Sequence, residues 1–169
     1  RSSAASDVYK RQAHYYTNFT YWTQHCWGVT CVNDMEAMLS YQPITIGDKE
    51  QALADLVRCY EKMMMRSHTN GGYVNLLDEC WKMCEKFHTN IVIMYDHVSC
   101  KNVGGLHGLF EDQARERGIH LIWIPHDVMD PRTVSRREMR EAFSQYMVTV
   151  LNEKPLDPTL LDYEDALSW

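Results

Sequence analysis

Cys100 lies in Asp96-His-Val-Ser-Cys-Lys-Asn-Val-Gly-Gly105, between an apolar run and an amphipathic one. A cysteine just ahead of a helix start meets free N–H groups and partial positive charge, which favour the thiolate over the thiol. A thiolate is what a metal or an iron–sulfur cluster takes as a ligand. Gly104-Gly105 lets the backbone approach whatever Cys100 holds. The spacing leaves a second reading open, an inert, half-buried thiol, because free cysteines are commonly buried.

His97, His107 and His126 fall near the ends of two apolar runs, with Asp127, Asp130 and Arg132 after the second run. His97 or His126 could serve as a general acid or base near neutral pH. The bland alternatives are solvated loop histidines and simple turn chemistry at Asp130-Pro131. Catalytic residues are left unassigned.

The other cysteines suggest less. Cys80 and Cys84 are one helical turn apart, and Cys84 sits on an apolar stripe, which favours core packing. Cys26-x4-Cys31 lacks the Cys-x-x-Cys knuckle and has no second pair at matching spacing, against a structural zinc site. Cys59 falls off the main stripe of its helix. There is no Gly-x-Gly-x-x-Gly and no phosphate-loop lysine motif, so a nucleotide site is unsupported. Met63-Met-Met65 reads as helix surface or core.

The elements that must position these residues follow from periodicity. Ile91-Val-Ile-Met-Tyr95 is a continuous β-branched run, the signature of a strand buried on both faces, and Asp96–Gly105 reads as the loop after it. Leu106, Leu109, Phe110 and Ala114 trace a helix ending at Gly118, and Ile119-His-Leu-Ile-Trp-Ile124 is the next buried strand. Pro125–Thr133 reads as a loop. Ser135 and Glu138 form a Ser-x-x-Glu capping box for a helix through Met139, Phe143, Tyr146, Met147 and Val150.

Upstream, residues 13–40 are aromatic-rich, and Gly28-Val-Thr-Cys-Val32 reads as a short strand. Asp48 with Gln51 resembles a capping box for a helix whose face is Leu53, Leu56, Val57, Tyr60, Met63 and Met64, fading near Arg66. Val74, Leu77, Trp81, Cys84 and Phe87 make another stripe. Strand–helix alternation with short connections predicts an α/β fold: a three-layer parallel sheet of βαβ units.

Composition bounds the partners. The 169 residues are 45% apolar and 24% charged, ordinary for one globular domain. Twenty-three acidic against 17 basic residues argue against nucleic acid, which wants a basic face. No apolar run approaches the roughly 18 residues of a membrane span. Six cysteines in 169 residues fall well below the roughly 8–10% of a disulfide scaffold, and residues 1–30 lack signal-peptide order. Reduced thiols in a cytoplasmic protein are expected.

Residues 1–12, Arg-Ser-Ser-Ala-Ala-Ser-Asp-Val-Tyr-Lys-Arg-Gln, show neither helical nor strand period and resemble a translated sequencing adapter; they are expected to be non-native or disordered. The α/β cluster-binding domain is expected over 13–151. Residues 152–169, acidic and carrying two prolines, are expected as a tail packed on the surface.

The run ending in His97-Val-Ser-Cys-Lys101, then a helix, a strand and Asp127-x-x-Asp-Pro-Arg132, resembles the C-terminal domain of the 2-hydroxyacyl-CoA dehydratase and benzoyl-CoA reductase superfamily. In that family a strand ends in a Ser-Cys-Lys-type loop, and the next ends in an acidic loop with Asp-Pro-Arg. A helix bearing an Arg and a Phe follows, matched by Arg140 and Phe143. The resemblance spans about residues 13–169, and the tail Val150–Asp157 with Asp162–Trp169 is more similar to the benzoyl-CoA reductase branch.

The resemblance implies the C-terminal domain of a larger, anaerobic, cytoplasmic subunit that holds a [4Fe–4S] cluster on three cysteines. The position carried over is Cys100; the other two would lie in an upstream domain. Implied partners are an acyl-CoA or aryl-CoA substrate, a homologous sister subunit and an ATP-dependent activase that delivers a low-potential electron, with no nucleic acid and no membrane. The electron would generate a radical anion, leading to ring reduction or to loss of water. Reduction of an aryl-CoA is the first expectation. The alternatives are (R)-2-hydroxyacyl-CoA dehydration and a non-catalytic double-cluster electron-transfer protein. A ligand-binding α/β domain with a structural Cys100 is the rival outside the family. Cys26 and Cys31 are too near this domain to replace the two upstream cysteines, so the isolated chain is expected to bind no stable cluster and to be inactive.

Overall fold

The computed structural model describes residues 5–9, 18–34, 43–61, 66, 71–127, 130 and 132–162. In chain order the elements are β1 (Ala5–Tyr9), α1 (Phe19–Trp27), β2 (Thr30–Asp34), α2 (Lys49–Glu61), α3 (Tyr73–Phe87), β3 (Ile91–His97), α4 (Lys101–Gly104), α5 (His107–Arg117), β4 (His120–His126) and α6 (Arg136–Thr149), with a 3₁₀ turn at Pro158–Leu160. The fold is mixed α/β with a parallel sheet in the order β2-β1-β3-β4.

β3 and β4 pair along their whole length, from Ile91 opposite His120 to His97 opposite His126. Side chains alternate across a strand, and the two faces of β3 enter two different clusters. Ile91, Ile93 and Tyr95 pack with Ile122 and Ile124, under Phe19 and Trp22 of α1 and Met139, Phe143 and Met147 of α6. Val92 and Met94 pack with Leu121, under Leu76, Cys80 and Trp81 of α3 and Phe110 and Ala114 of α5. Continuous hydrophobicity in Ile91–Tyr95 thus reflects burial on both sides. Each such side chain contributes about 1.5–3 kcal/mol when taken out of water.

The local signals set the helix ends. Ser135 Oγ accepts the Glu138 N–H at 3.1 Å and Glu138 Oε2 accepts the Ser135 N–H at 2.6 Å, a complete capping box at the start of α6. Gly118, at φ +67°, ends α5 in the left-handed conformation that suits glycine. Asp48 Oδ1 accepts the N–H groups of Glu50 and Gln51, so it caps α2. The Gln51 side chain goes forward to Asp55 Oδ1 at 2.8 Å.

Several expectations change. The aromatic segment contains helix α1, closed by Gly28 at φ +72°, so the strand expected at 28–32 begins only at Thr30. β3 runs on to His97, and the expected loop at 96–105 contains α4. In α3 the buried face is turned to include Leu76, Cys80 and Met83 beside Leu77, Trp81 and Cys84, leaving Val74 exposed. In α2 the residues Leu53, Leu56, Val57 and Tyr60 are exposed, while Met63 and Met64 lie outside the described residues. Ala5–Tyr9 pairs in parallel with β2 and with β3.

The chain after α6 returns across α1. Leu156 N–H donates to the Cys26 carbonyl at 2.7 Å, and Trp22 Nε1–H donates to the Leu160 carbonyl at 2.9 Å. Among the described residues no helix is long and apolar enough to cross a membrane.

Candidate functional site at the strand ends

In parallel sheets, ligands bind beyond the carboxyl ends of the strands. β3 and β4 end level with each other at His97 and His126. By the pleat, these two histidines continue the face of Tyr95 and Ile124, whereas Asp96 and Trp123 continue the face of Met94 and Leu121. The polar residues expected to converge are therefore divided between two faces.

On the first face, His97 and His126 are buried, their rings 6.0 Å apart and nearly perpendicular. His97 Nδ1 accepts the Ser99 backbone N–H at 3.1 Å and lies 3.1 Å from Ser99 Oγ. Its Nε2 lies 3.8 Å from Oδ1 of Asp127, which is also buried. The same Asp127 oxygen accepts the Asp130 N–H at 3.3 Å. Burial pushes His126 from the ordinary 6.5 down to about 4, reinforced by the neighbouring His97 and opposed by Asp127. His126 is thus a neutral ring at pH 7 rather than an imidazolium acid. It packs 5.3 Å from the Tyr95 ring.

On the other face, His107 stacks on Trp123 at 3.6 Å, with its Nε2 3.4 Å from Asp96 Oδ1. Asp130 and Arg132 form an exposed two-pronged ion pair, which holds the Asp130 carboxyl below and the Arg132 guanidinium above their usual ranges. Arg140 is buried in α6.

Cys100 occupies the position directly before α4, half-buried against the cluster that contains Val103 and Leu106. Its N–H donates to the His97 carbonyl at 2.9 Å and its carbonyl accepts the Gly104 N–H at 3.1 Å. These bonds fold the loop between β3 and α4. Cys26 is a different kind of residue. It is fully buried, its thiol donates to the Asp157 carbonyl at 3.5 Å, and burial together with nearby Asp157 pushes it up to about 11. A group held as the thiol cannot ligate a metal without losing that proton. Cys80 and Cys84 are core residues, and Cys31 donates to the Asn33 carbonyl at 3.5 Å.

A [4Fe–4S] cluster needs several thiolates, and among the described residues no group of three Cys, His, Asp or Glu converges as a metal site. Cys100 can supply one ligand; the described residues do not by themselves hold a cluster, and no chemical step is derived through one. A cavity of about 390 Å³ lies at the opposite end of β4, lined by Arg115, His120, Leu121 and Tyr146. Another, of about 380 Å³, lies between α1 and the returning chain at Trp22 and Leu160. Neither includes the strand-end residues.

Sequence reasoning found His97, Cys100, His126 and Asp127 but passed over Ser99. The signal was the spacing: a polar residue two positions past a strand-terminal histidine can turn back onto the ring. Comparison with known proteins gives no matching family model, no matching curated protein and no matching solved structure.

Proposed function

We propose that the chain is the C-terminal domain of a subunit of an ATP-activated, CoA-thioester iron–sulfur enzyme of the benzoyl-CoA reductase type, with Cys100 as its contribution to a [4Fe–4S] cluster. The observation that carries this reading is the place of Cys100. It is half-buried immediately after β3, at the sheet end where ligands bind, inside the His-Val-Ser-Cys-Lys run that resembles the family. The three-layer arrangement of βαβ units belongs to the same proposal, supported by the two clusters that share β3. So do a cytoplasmic location and the sister subunit, activase and thioester as partners.

The chain's own residues would fold the loop that presents Cys100 and exclude water on both faces beneath it. The cluster would need thiolates from outside the described residues. The tail favours reduction of an aryl-CoA, with (R)-2-hydroxyacyl-CoA dehydration as the second reading.

The complete subunit, assembled anaerobically with its sister subunit, activase and ATP, should consume an aryl-CoA, and Cys100→Ser should abolish that activity. Consumption of a 2-hydroxyacyl-CoA alone would select dehydration. Full activity in Cys100→Ser would leave a ligand-binding domain in which Cys100 is structural.

A further inference from the structure

We propose that the cavity at the outer edge of β4 is a binding site for a small monocarboxylate with a short apolar body. The proposal is independent of the cluster reading: the cavity lies at the end of β4 away from His126 and uses nothing of Cys100.

The sheet explains why there is a cavity here. Among the described residues β4 is the outermost strand, in the order β2-β1-β3-β4. Successive N–H groups of a strand point to opposite sides. The His120 N–H donates inward to the Asn90 carbonyl at 2.9 Å, so the Leu121 N–H points outward. α5 packs on one face of the sheet and α6 on the other. Between them, over the open edge, is a space of about 390 Å³, within the roughly 300–1,000 Å³ of small-molecule sites.

The lining combines an apolar wall with side-chain donors. Ala114 and Leu121 belong to the second cluster and Ile119 packs against it. Opposite, the Tyr146 ring packs against the first cluster, which fixes its hydroxyl. That hydroxyl takes the outward Leu121 N–H. An N–H only donates, so the phenol oxygen is the acceptor there and its own proton remains to be given. His120 Nδ1 stands 3.5 Å away, long for an O–H donor, so a carboxylate oxygen in the cavity is the better acceptor. The His120 ring carries an N–H in either tautomer. Arg115 Nη1 donates to Asp112 at 3.1 Å in an exposed pair, which leaves guanidinium donors for a second carboxylate.

The charge balance selects a monoanion. Glu111 also lines the cavity, and the C-terminal end of α5 adds partial negative charge. Arg115, in the last turn of α5, offsets these. A single carboxylate is accommodated, whereas a phosphate or sulfate dianion meets the Glu111 carboxylate with twice the charge.

The isotope-labelled whole chain, titrated with sodium pentanoate at constant ionic strength, should show NMR shifts at the Gly118, Ile119 and Leu121 amides and at the Arg115 Nε–H. The expected Kd is on the order of 1 mM. Arg115 is exposed, so Arg115→Ala should leave the fold intact and weaken binding about tenfold. Tyr146→Phe keeps the packed ring and should weaken binding about threefold or more. Glu111→Gln should strengthen it about twofold, because a like charge is removed. Acetate lacks the apolar body and pentanol the charge, and each should bind about tenfold more weakly or worse. No shift with pentanoate, shifts centred elsewhere, sulfate or acetate binding as well as pentanoate, or unchanged affinity in Arg115→Ala would overturn the proposal and leave an open notch at the sheet edge.

Discussion

β3 carries a continuous apolar run and α2 an apolar stripe at helical spacing, and the protein treats them in opposite ways. All of Ile91–Tyr95 is buried, whereas Leu53, Leu56, Val57 and Tyr60 of α2 are each more than half exposed. The buried residue of α2 is Asp55, whose carboxylate accepts the Thr45 N–H at 2.9 Å, the Thr45 hydroxyl at 2.7 Å and an Arg58 N–H at 2.8 Å. These bonds, the Thr45 hydroxyl first, hold the Asp55 carboxyl below its usual range. Periodicity establishes which residues share a face; it does not establish that another surface meets that face. For β3 the partner surfaces come from α1 and α6 on one side and α3 and α5 on the other.

The contrast is broken most forcefully in the core. Phe143 is fully buried and meets the rings of Phe19, Trp22 and Trp27 edge-on. Phe143→Ala should cost about 3–5 kcal/mol in urea unfolding, through lost burial and the cavity left behind. A loss under about 1 kcal/mol would mean that this cluster is not packed as described.

His126 sharpens the comparison through pH. Its buried ring takes a proton only near pH 4, against 6.5 for the ordinary group. Between those values the unfolded chain binds the proton and the native chain does not, so stability is complete above about pH 6.5 and falls as pH drops toward 4. The loss attributable to this residue is about 3 kcal/mol, read as the change in urea midpoint between pH 7 and 4. His126→Phe should flatten that slope, and an equally steep slope in the variant would assign the acid loss to other groups.

The smallest effect belongs to α2. Leu56→Ser should change stability by no more than about 0.5 kcal/mol. A cost near that of Phe143→Ala would show that the exposed face is covered in solution.

The same physics decides what could be read in advance. β3 was legible because a strand buried on both faces leaves a continuous β-branched run, and α6 because its capping box is spelled out by Ser135 and Glu138. α1 left a usable signal in Phe19, Trp22 and Cys26 at helical spacing with Gly28 as its stop; the density of aromatics obscured it. The candidate site was legible as a place, the ends of two adjacent strands, but not as a grouping. The pleat puts His97 and His126 on one face, whereas His107, on α5, stacks on Trp123 of the other. A one-residue error in a strand's end reverses such an assignment, and the turn that brings Ser99 onto His97 is set by backbone geometry that no side-chain period records.

Cys100 and Cys26 carry the same comparison into chemistry, the first half-buried at the sheet end and the second a sealed thiol pushed up to about 11. The direct test of the proposed role of Cys100 is the iron and sulfide content, with the reduced-state EPR spectrum, of the complete subunit and its Cys100→Ala variant expressed without oxygen. The account predicts about four irons per chain in the parent, lost in the variant. No iron in either protein, under conditions where a control cluster assembles, would contradict it.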